Sequence, residues 1–435
     1  MMSSGIASVD ETATGEREED TPVSTSTLME RMLERENLIQ ALRQVMSNKG
    51  CAGIDGMTVQ QLPLYLKKQW PQIKGELLAG SYHPQPVKRV EIPKPGGVRK
   101  LGVPTVVDRF IQQALMQVLQ TEWDESFSPY SYGFRPGRSA HQAIDKAGQY
   151  IREGYSFVVD IDLEKFFDRV NLDLLMHRVK ERVSDIRVVR LINRFLKSGV
   201  YEDGSIQPTR EGVAQGSPLS PLLANLFLNE LDEELDRRGH RYVRYADDCN
   251  IYVRSYLAGK RVMASVTRFL ARRLRLKVNE KKSAADRAWN RKFLGFTFTS
   301  RRPNRCGVSQ ESLKVFKGEI RRLTRRTRGR TIEKVVGELR QYLLGWKAYY
   351  GHSEVLSPLR DLDKWIRRRL RCYQWKQWGN RGYRELRRRG VSRELAWHTS
   401  KSAHGPWRLS RSPALSYALP ARYFRALGLP SLVSG

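Results

Sequence analysis

The spacing of apolar residues changes period several times along the chain, and each change marks an element. Leu28, Met32, Leu38, Ala41, Leu42 and Val45 recur at helical spacing until Asn48-Lys49-Gly50 breaks the pattern. A turn at Gly53-Ile54-Asp55-Gly56 leads to a second helical stretch, Leu62 to Leu78, and the prolines of Tyr82-His83-Pro84-Gln85-Pro86 then impose extended backbone. Val87 to Lys94 alternates with period two, turns at Pro95-Gly96-Gly97 and resumes at Val98-Arg99-Lys100-Leu101, which predicts a hairpin carrying Lys88, Arg89, Lys94 and Arg99. Val106 to Leu119 is helical, Phe157-Val158-Val159 reads as a buried strand, and Leu191 to Val200 reads as a short helix ending at Gly199. Ser220 as N-cap, with Pro221 behind it, opens a helix whose buried face is Leu222, Leu223, Leu226, Leu231 and Leu235.

From Arg241 to Tyr252 the run is strand-like but for Asp247-Asp248, so it predicts a hairpin with an acidic tip. A basic amphipathic helix follows at Val262 to Leu276, then a short strand at Phe293 to Phe298. Beyond Arg301 three helical stretches are visible, Ser309 to Arg328, Thr331 to Tyr350 and Leu359 to Trp378. Leu339, Tyr342, Leu343 and Trp346 supply one buried face, and Trp365, Ile366, Leu370 and Tyr373 another.

The acidic tip introduces chemistry. Adjacent carboxylates repel and raise each other's pKa unless a cation lies between them, and a divalent metal is the simplest such cation. Period two places Asp160 and Asp162, at the end of the Phe157 strand, on one face, where acids at the mouth of an apolar strand need partners or metal. Gly212-Val213-Ala214-Gln215-Gly216 forms a loop ahead of a helix, and glycine there lets a backbone approach a nucleotide closely. Tyr130 to Ser139 interleaves aromatics with Arg135 and Arg138, a composition suited to base stacking and phosphate pairing.

Charge identifies the partner class. The 435 residues carry a formal net charge of +31, far beyond what solubility requires, which implies a polyanion, nucleic acid by default. The residues from Arg301 on hold 32 Lys and Arg against 9 Asp and Glu, with Arg367, Arg368, Arg369 and Arg371 around one helix, so this part reads as nucleic-acid-binding. No apolar run of membrane-spanning length exists, and no secretory or transit signal opens the chain. Cys51, Cys249, Cys306 and Cys372 are scattered, which fits reduced thiols in a cytoplasmic protein and no zinc knuckle. Residues 1–27 are polar and acidic and are expected to be a disordered tail.

In order, Asn48-Lys49-Gly50 with Gly53-Ile54-Asp55-Gly56, Ile92-Pro93-Lys94-Pro95-Gly96-Gly97-Val98-Arg99, Tyr132-Gly133-Phe134-Arg135-Pro136, Asp162 through Phe167-Asp168, Gln215 to Pro221, Tyr245-Ala246-Asp247-Asp248 and Phe293-Leu294-Gly295-Phe296 match one family. The chain resembles a group II intron-encoded reverse transcriptase and maturase over nearly its whole ordered length, and Leu344-Gly345-Trp346 through Tyr349-Tyr350, with Trp365 and Trp375, resembles the maturase-specific thumb. The resemblance implies an α+β right-hand polymerase fold: fingers and palm over residues 28–300, a helical thumb over 301–378, and a basic DNA- or RNA-binding appendix over 379–435. It implies Asp162, Asp247 and Asp248 as catalytic ligands of Mg²⁺, with Asp160 a neighbour left open. It also implies Lys94, Arg99, Phe167, Gln215 and Gly216 as nucleotide-binding, with Phe167 excluding a ribose 2′-hydroxyl. Arg135, Arg367, Arg368, Arg369 and Arg371 are the nucleic-acid contacts expected.

The implied partners are group II intron RNA, an RNA template with a DNA primer, target DNA and deoxynucleoside triphosphates, with no membrane and an open oligomeric state. Cys249 stands where many members carry Phe, a packing variant, and nothing after Trp378 supplies the ligands of a cysteine-rich DNA endonuclease. Two alternatives remain at this stage: a splicing maturase whose polymerase is unused, and a reverse transcriptase without an intron, of the retron, diversity-generating or CRISPR-linked kinds.

Overall fold

The computed structural model describes residues 27–94 and 97–433, with the side chain of Lys94 outside that description. The acidic stretch 1–26 therefore lies outside the described residues, as does the tip of the basic hairpin.

Helices α1 (Leu28–Met32), α2 (Arg35–Ser47) and α3 (Leu62–Leu78) open the fold. The single helix expected from Leu28 to Val45 is broken at Leu33-Glu34, because Met29, Met32 and Leu33 turn into the core against α4 (Val106–Trp123). Strands β1 (Val87–Lys94) and β2 (Gly97–Val103) form the basic hairpin, pairing antiparallel from Lys88 with Val103 to Lys94 with Gly97. Helix α5 (Ala140–Arg152) starts on a complete capping box, in which Ser139 accepts from the Gln142 N–H and Gln142 accepts from the Ser139 N–H.

Next come β3 (Phe157–Ile161), α6 (Phe166–Arg169), α7 (Leu172–Arg182) and α8 (Ile186–Leu196), then β4 (Val200–Glu202) and β5 (Ser205–Gln207), which extend the hairpin into a sheet of order β2-β1-β4-β5. Helix α9 (Ser220–Arg237), β6 (Arg241–Tyr245), β7 (Asp248–Val253), α10 (Tyr256–Phe269) and β8 (Ala284–Arg287) complete the central unit. Its antiparallel sheet runs β6-β7-β3-β8, backed by α9 and α10. One apolar core joins this sheet to α1–α4 and α7–α10.

The hairpin β9 (Phe296–Phe298) with β10 (Cys306–Val308) straddles the expected boundary at residue 300. Phe296, Phe298 and Cys306 belong to a core cluster that also holds Tyr132, Ile144 and Tyr252, so this is a packed junction and not a linker. Helices α11 (Gln310–Leu323), α12 (Ile332–Tyr350) and α13 (Ser357–Trp378) fall close to the expected spans. Residues beyond Trp378 form α14 (Gly382–Arg388), α15 (Arg393–Lys401), α16 (Pro406–Leu409), α17 (Pro413–Ala418) and α18 (Ala421–Ala426). Leu386, Ala396, Leu415, Leu419 and Phe424 are buried in the same core as Leu339, Ile366 and Leu370. The residues expected as an appendix thus share one core with the helices before Trp378. No described helix is long and apolar enough to cross a membrane, and all four cysteines are free, with Cys249, Cys306 and Cys372 buried.

Candidate active site

Strand β3 delivers Asp160 and Asp162, and the β6–β7 turn delivers Asp247 and Asp248. The register pairs Ile161 with Cys249, so one step further along Asp162 faces Asp248. Asp162 is fixed through its backbone: its N–H donates to Ser283 Oγ at 2.9 Å, and its carbonyl accepts from the Asn279 N–H at 2.8 Å. Asp160, Asp162 and Asp248 line a cleft of about 1080 Å³ that reaches the helical unit at Phe316, Trp346 and Tyr350.

The turn is held from behind. Ala246 adopts φ +56°, and its carbonyl accepts from Arg244 Nη1 at 2.9 Å. Arg244 is 0% exposed, pairs with Asp232 of α9 through Nε at 2.8 Å, and reaches Asn225 Oδ1 at 3.0 Å. Asn225 in turn donates to the Gly133 carbonyl at 2.8 Å. A Cβ on Gly133 would overlap the Ala246 nitrogen, so only glycine lets the Tyr132-Gly133-Phe134 loop close against the turn. Sequence reading missed Arg244, Asp232 and Asn225. The available signal was polar residues on faces otherwise apolar, Asn225 beside Leu226 and Asp232 beside Leu231.

Electrostatics at the site is that of crowded acids. Asp248 opens toward the cleft at its tip, yet it is pushed up to about 6, first by the protein packed around it and then by the charges of Asp247, Asp160 and Asp162. Asp247 and Asp160 are also raised, in both cases chiefly by burial. Two cations missed at the sequence level partly offset this. Lys282 Nζ lies 3.3 Å from Asp162, and Arg291 grips Asp160 Oδ2 from Nε at 3.0 Å and Nη2 at 2.6 Å. Asp160 is therefore gripped by Arg291, whereas Asp162 meets only the single ammonium of Lys282. Among the described residues no three acidic, His or Cys side chains already form a closed cation cage. Clustered hard oxygen donors nevertheless suit a divalent ion, which would relieve the repulsion between them.

Arg99, Phe167, Gln215 and Gly216 meet in a second pocket of about 430 Å³, from which the charge of Arg99 reaches Asp247. Arg99 Nε donates to Gln215 Oε1 at 2.7 Å, and the Gln215 carbonyl accepts from the Gly102 N–H at 2.9 Å, tying the basic hairpin to the glycine loop. Gly216 sits at φ +115°. The Val213 N–H donates to the Phe167 carbonyl at 2.6 Å, so the same loop fixes Phe167, whose ring contacts Phe166 with centroids 5.1 Å apart.

The other expected contacts are placed differently. Arg135 is 8% exposed, pairing with Asp124 at 2.8 Å and donating to the Ser128 and Ser131 carbonyls, so it organises its loop instead of facing solvent. Around α13, the Arg368 guanidinium lies 3.7 Å from the Trp407 ring centroid, Arg369 donates to Thr324, and Arg371 donates to the Leu419 carbonyl at 3.0 Å. Three members of this run are thus engaged within the helical unit, Arg369 by the end of α11 and Arg368 and Arg371 by the segments after Trp378, and all four, Arg367 included, are half-buried. Arg325, Arg384, Arg393 and Arg408 are exposed without an ion-pair partner among the described residues.

Two family models match the chain: reverse transcriptase (RNA-dependent DNA polymerase) over residues 92–298, and group II intron, maturase-specific domain, over residues 313–391. The chain is similar to Protein YkfC of Escherichia coli, 37% identical over 225 residues, covering 48% of this chain and 57% of that one. It is also similar to the group II intron-encoded protein LtrA of Lactococcus lactis, 34% identical over 195 residues, covering 44% of this chain and 32% of that one. The chain thus spans just over half the length of the first relative and about a third of the second. A solved structure, the partial Cas6-RT-Cas1--Cas2 complex, matches with a TM-score of 0.38 and 26% identity, over 57% of this chain and 43% of that one.

Proposed function

We propose that the chain is an RNA-directed DNA polymerase that copies intron RNA into DNA and binds that RNA to assist its splicing and mobility, a reading supported by the match of residues 92–298 to the reverse transcriptase model and of residues 313–391 to the maturase-specific model of group II introns. The observation that carries this reading is the meeting of Asp162 and Asp248 at the mouth of a cleft between sheet and helical unit, with Asp247 at the adjoining turn and the pocket of Arg99, Phe167, Gln215 and Gly216 beside them.

Asp162, Asp247 and Asp248 are the residues that would hold Mg²⁺. That ion, when bound, would neutralise charge developing on the attacking and leaving oxygens of an in-line displacement. The chain's own residues place the reactants. Arg99, with Lys94, clamps the triphosphate of a deoxynucleotide as a bidentate cation can. The Phe167 ring, fixed by Val213, occupies the space a ribose 2′-hydroxyl would need, and Gln215 and Gly216 line the nascent base pair. Lys282, 3.3 Å from Asp162, partly neutralises that carboxylate. Intron RNA binds the solvated cations of the helical unit, Arg325, Arg384, Arg393 and Arg408 among them; target DNA is a further substrate.

Primer extension on an RNA template with an annealed DNA primer tests the reading. Asp247→Ala loses at least about a thousandfold in extension rate and keeps the parent's RNA affinity. Extension by the variant at the parent's rate overturns the assignment; absence of extension by both, with tight RNA binding by both, points to a splicing cofactor instead.

A further inference from the structure

Arg109, on α4, is a buried cation that no anion answers. It is 9% exposed and forms no ion pair among the described residues. Its Nη2 donates to the Cys51 carbonyl, and its buried Nε has no partner. Burial lowers its proton affinity, opposed in smaller measure by Cys51 and Asp55, neither of which pairs with it. Arg244, fully buried, has Asp232 beside it. A guanidinium taken out of water without a carboxylate is costly, and the cost is recovered when an anion arrives.

The surroundings indicate what that anion is. Arg109 and Gln113 line the pocket of about 430 Å³ that also holds Arg99, Gln215 and Gly216, and Asn48 and Gly50 form its other edge. That volume is of the size that takes a small-molecule ligand. At Gly50 a Cβ would overlap Arg109 Nη1, so glycine alone leaves the guanidinium its present position. We propose that Arg109 is a phosphate-binding residue of this pocket, holding a nucleotide phosphate that enters between the loop after α2 and the glycine loop. This deepens the polymerase reading and rests on it. A planar guanidinium matches two phosphate oxygens at once, which suits it to fixing the position of a nucleotide. The phosphate has two possible sources, the backbone of the template strand and the triphosphate of the incoming nucleotide.

The test uses the full chain with Arg109→Gln, Arg109→Lys and Gly50→Ala, the last keeping the cation but displacing it. Affinity for a fluorescent RNA-template/DNA-primer duplex is titrated across salt without nucleotide, KM for deoxynucleotide is measured in extension, and thermal melting is followed by circular dichroism. If the phosphate belongs to the template, Arg109→Gln weakens duplex binding about tenfold and makes the salt slope shallower by about one. If it belongs to the nucleotide, duplex binding holds and KM rises by a similar factor. In either case Gly50→Ala reproduces the loss at the parent's melting temperature and Arg109→Lys recovers part of it. The proposal is overturned if Arg109→Gln leaves both constants unchanged, or if its losses follow a drop in melting temperature and Gly50→Ala does not share them. A parent that extends no primer would sink the polymerase reading and leave the duplex titration to decide on Arg109.

Discussion

Arg244 in the central sheet and Arg368 in the helical unit show how differently two parts of one basic chain use the same side chain. Around Arg244 every buried charge meets its opposite: Asp232 takes the guanidinium, Asn225 extends the network to Gly133, and the product is a fixed position for the turn that carries Asp247 and Asp248. Around Arg368 no carboxylate is involved; the cation lies over Trp407, Arg369 caps Thr324, and Arg371 meets the Leu419 carbonyl. In the first case arginine aims chemistry, and in the second it fastens helices through ring faces and carbonyls. A large positive charge is therefore no map of where nucleic acid lies. The exposed cations without an ion-pair partner among the described residues are spread over the helical unit, Lys317 on α11, Arg340 on α12, Arg360 and Lys376 toward the two ends of α13, and Arg393 on α15.

The contrast can be broken most forcefully at Asp232. Asp232→Ala leaves Arg244 buried and unpaired, and urea unfolding is expected to show a loss of about 3–5 kcal/mol; a loss near zero would mean the pair is dispensable. A smaller effect sharpens the account of the acidic cleft. Because Asp248 is raised to about 6, its carboxylate gains a proton as pH falls through that value and can no longer hold a cation. The Mg²⁺ concentration giving half-maximal binding should then rise about tenfold per pH unit below that point, while above pH 7 it stays flat. A requirement unchanged at pH 5.5 would remove Asp248 from the metal set. The smallest effect is expected at Arg368, where Arg368→Ala should cost about 1 kcal/mol in unfolding and leave RNA affinity within about twofold of the parent. A tenfold fall in affinity without a change in stability would restore this arginine to the nucleic-acid surface.

Much of the fold was legible because its periods are clean. The acidic hairpin, the strand ending at Asp162, the basic hairpin and the spans of α11 to α13 follow from alternation and helical spacing alone. What escaped was set by tertiary context. Nothing local says that Arg135 will turn inward to Asp124, since its sequence neighbours are those of an exposed aromatic loop. The pairing of Lys282 with Asp162 joins residues 120 positions apart, and the burial of α13 depends on helices that read, one at a time, as short and polar. The break between α1 and α2 was invisible for the same reason: helical spacing continues across it.

That burial also decides where the molecule can be cut. A fragment ending at Trp378 would keep every helix foreseen for the thumb, yet it would uncover Leu370 and Tyr373 by stripping away Leu386, Leu415, Leu419 and Phe424. Such a fragment should stick to itself in solution. Protein engineers seeking a compact polymerase from this scaffold would do better to leave the last helices in place and trim elsewhere.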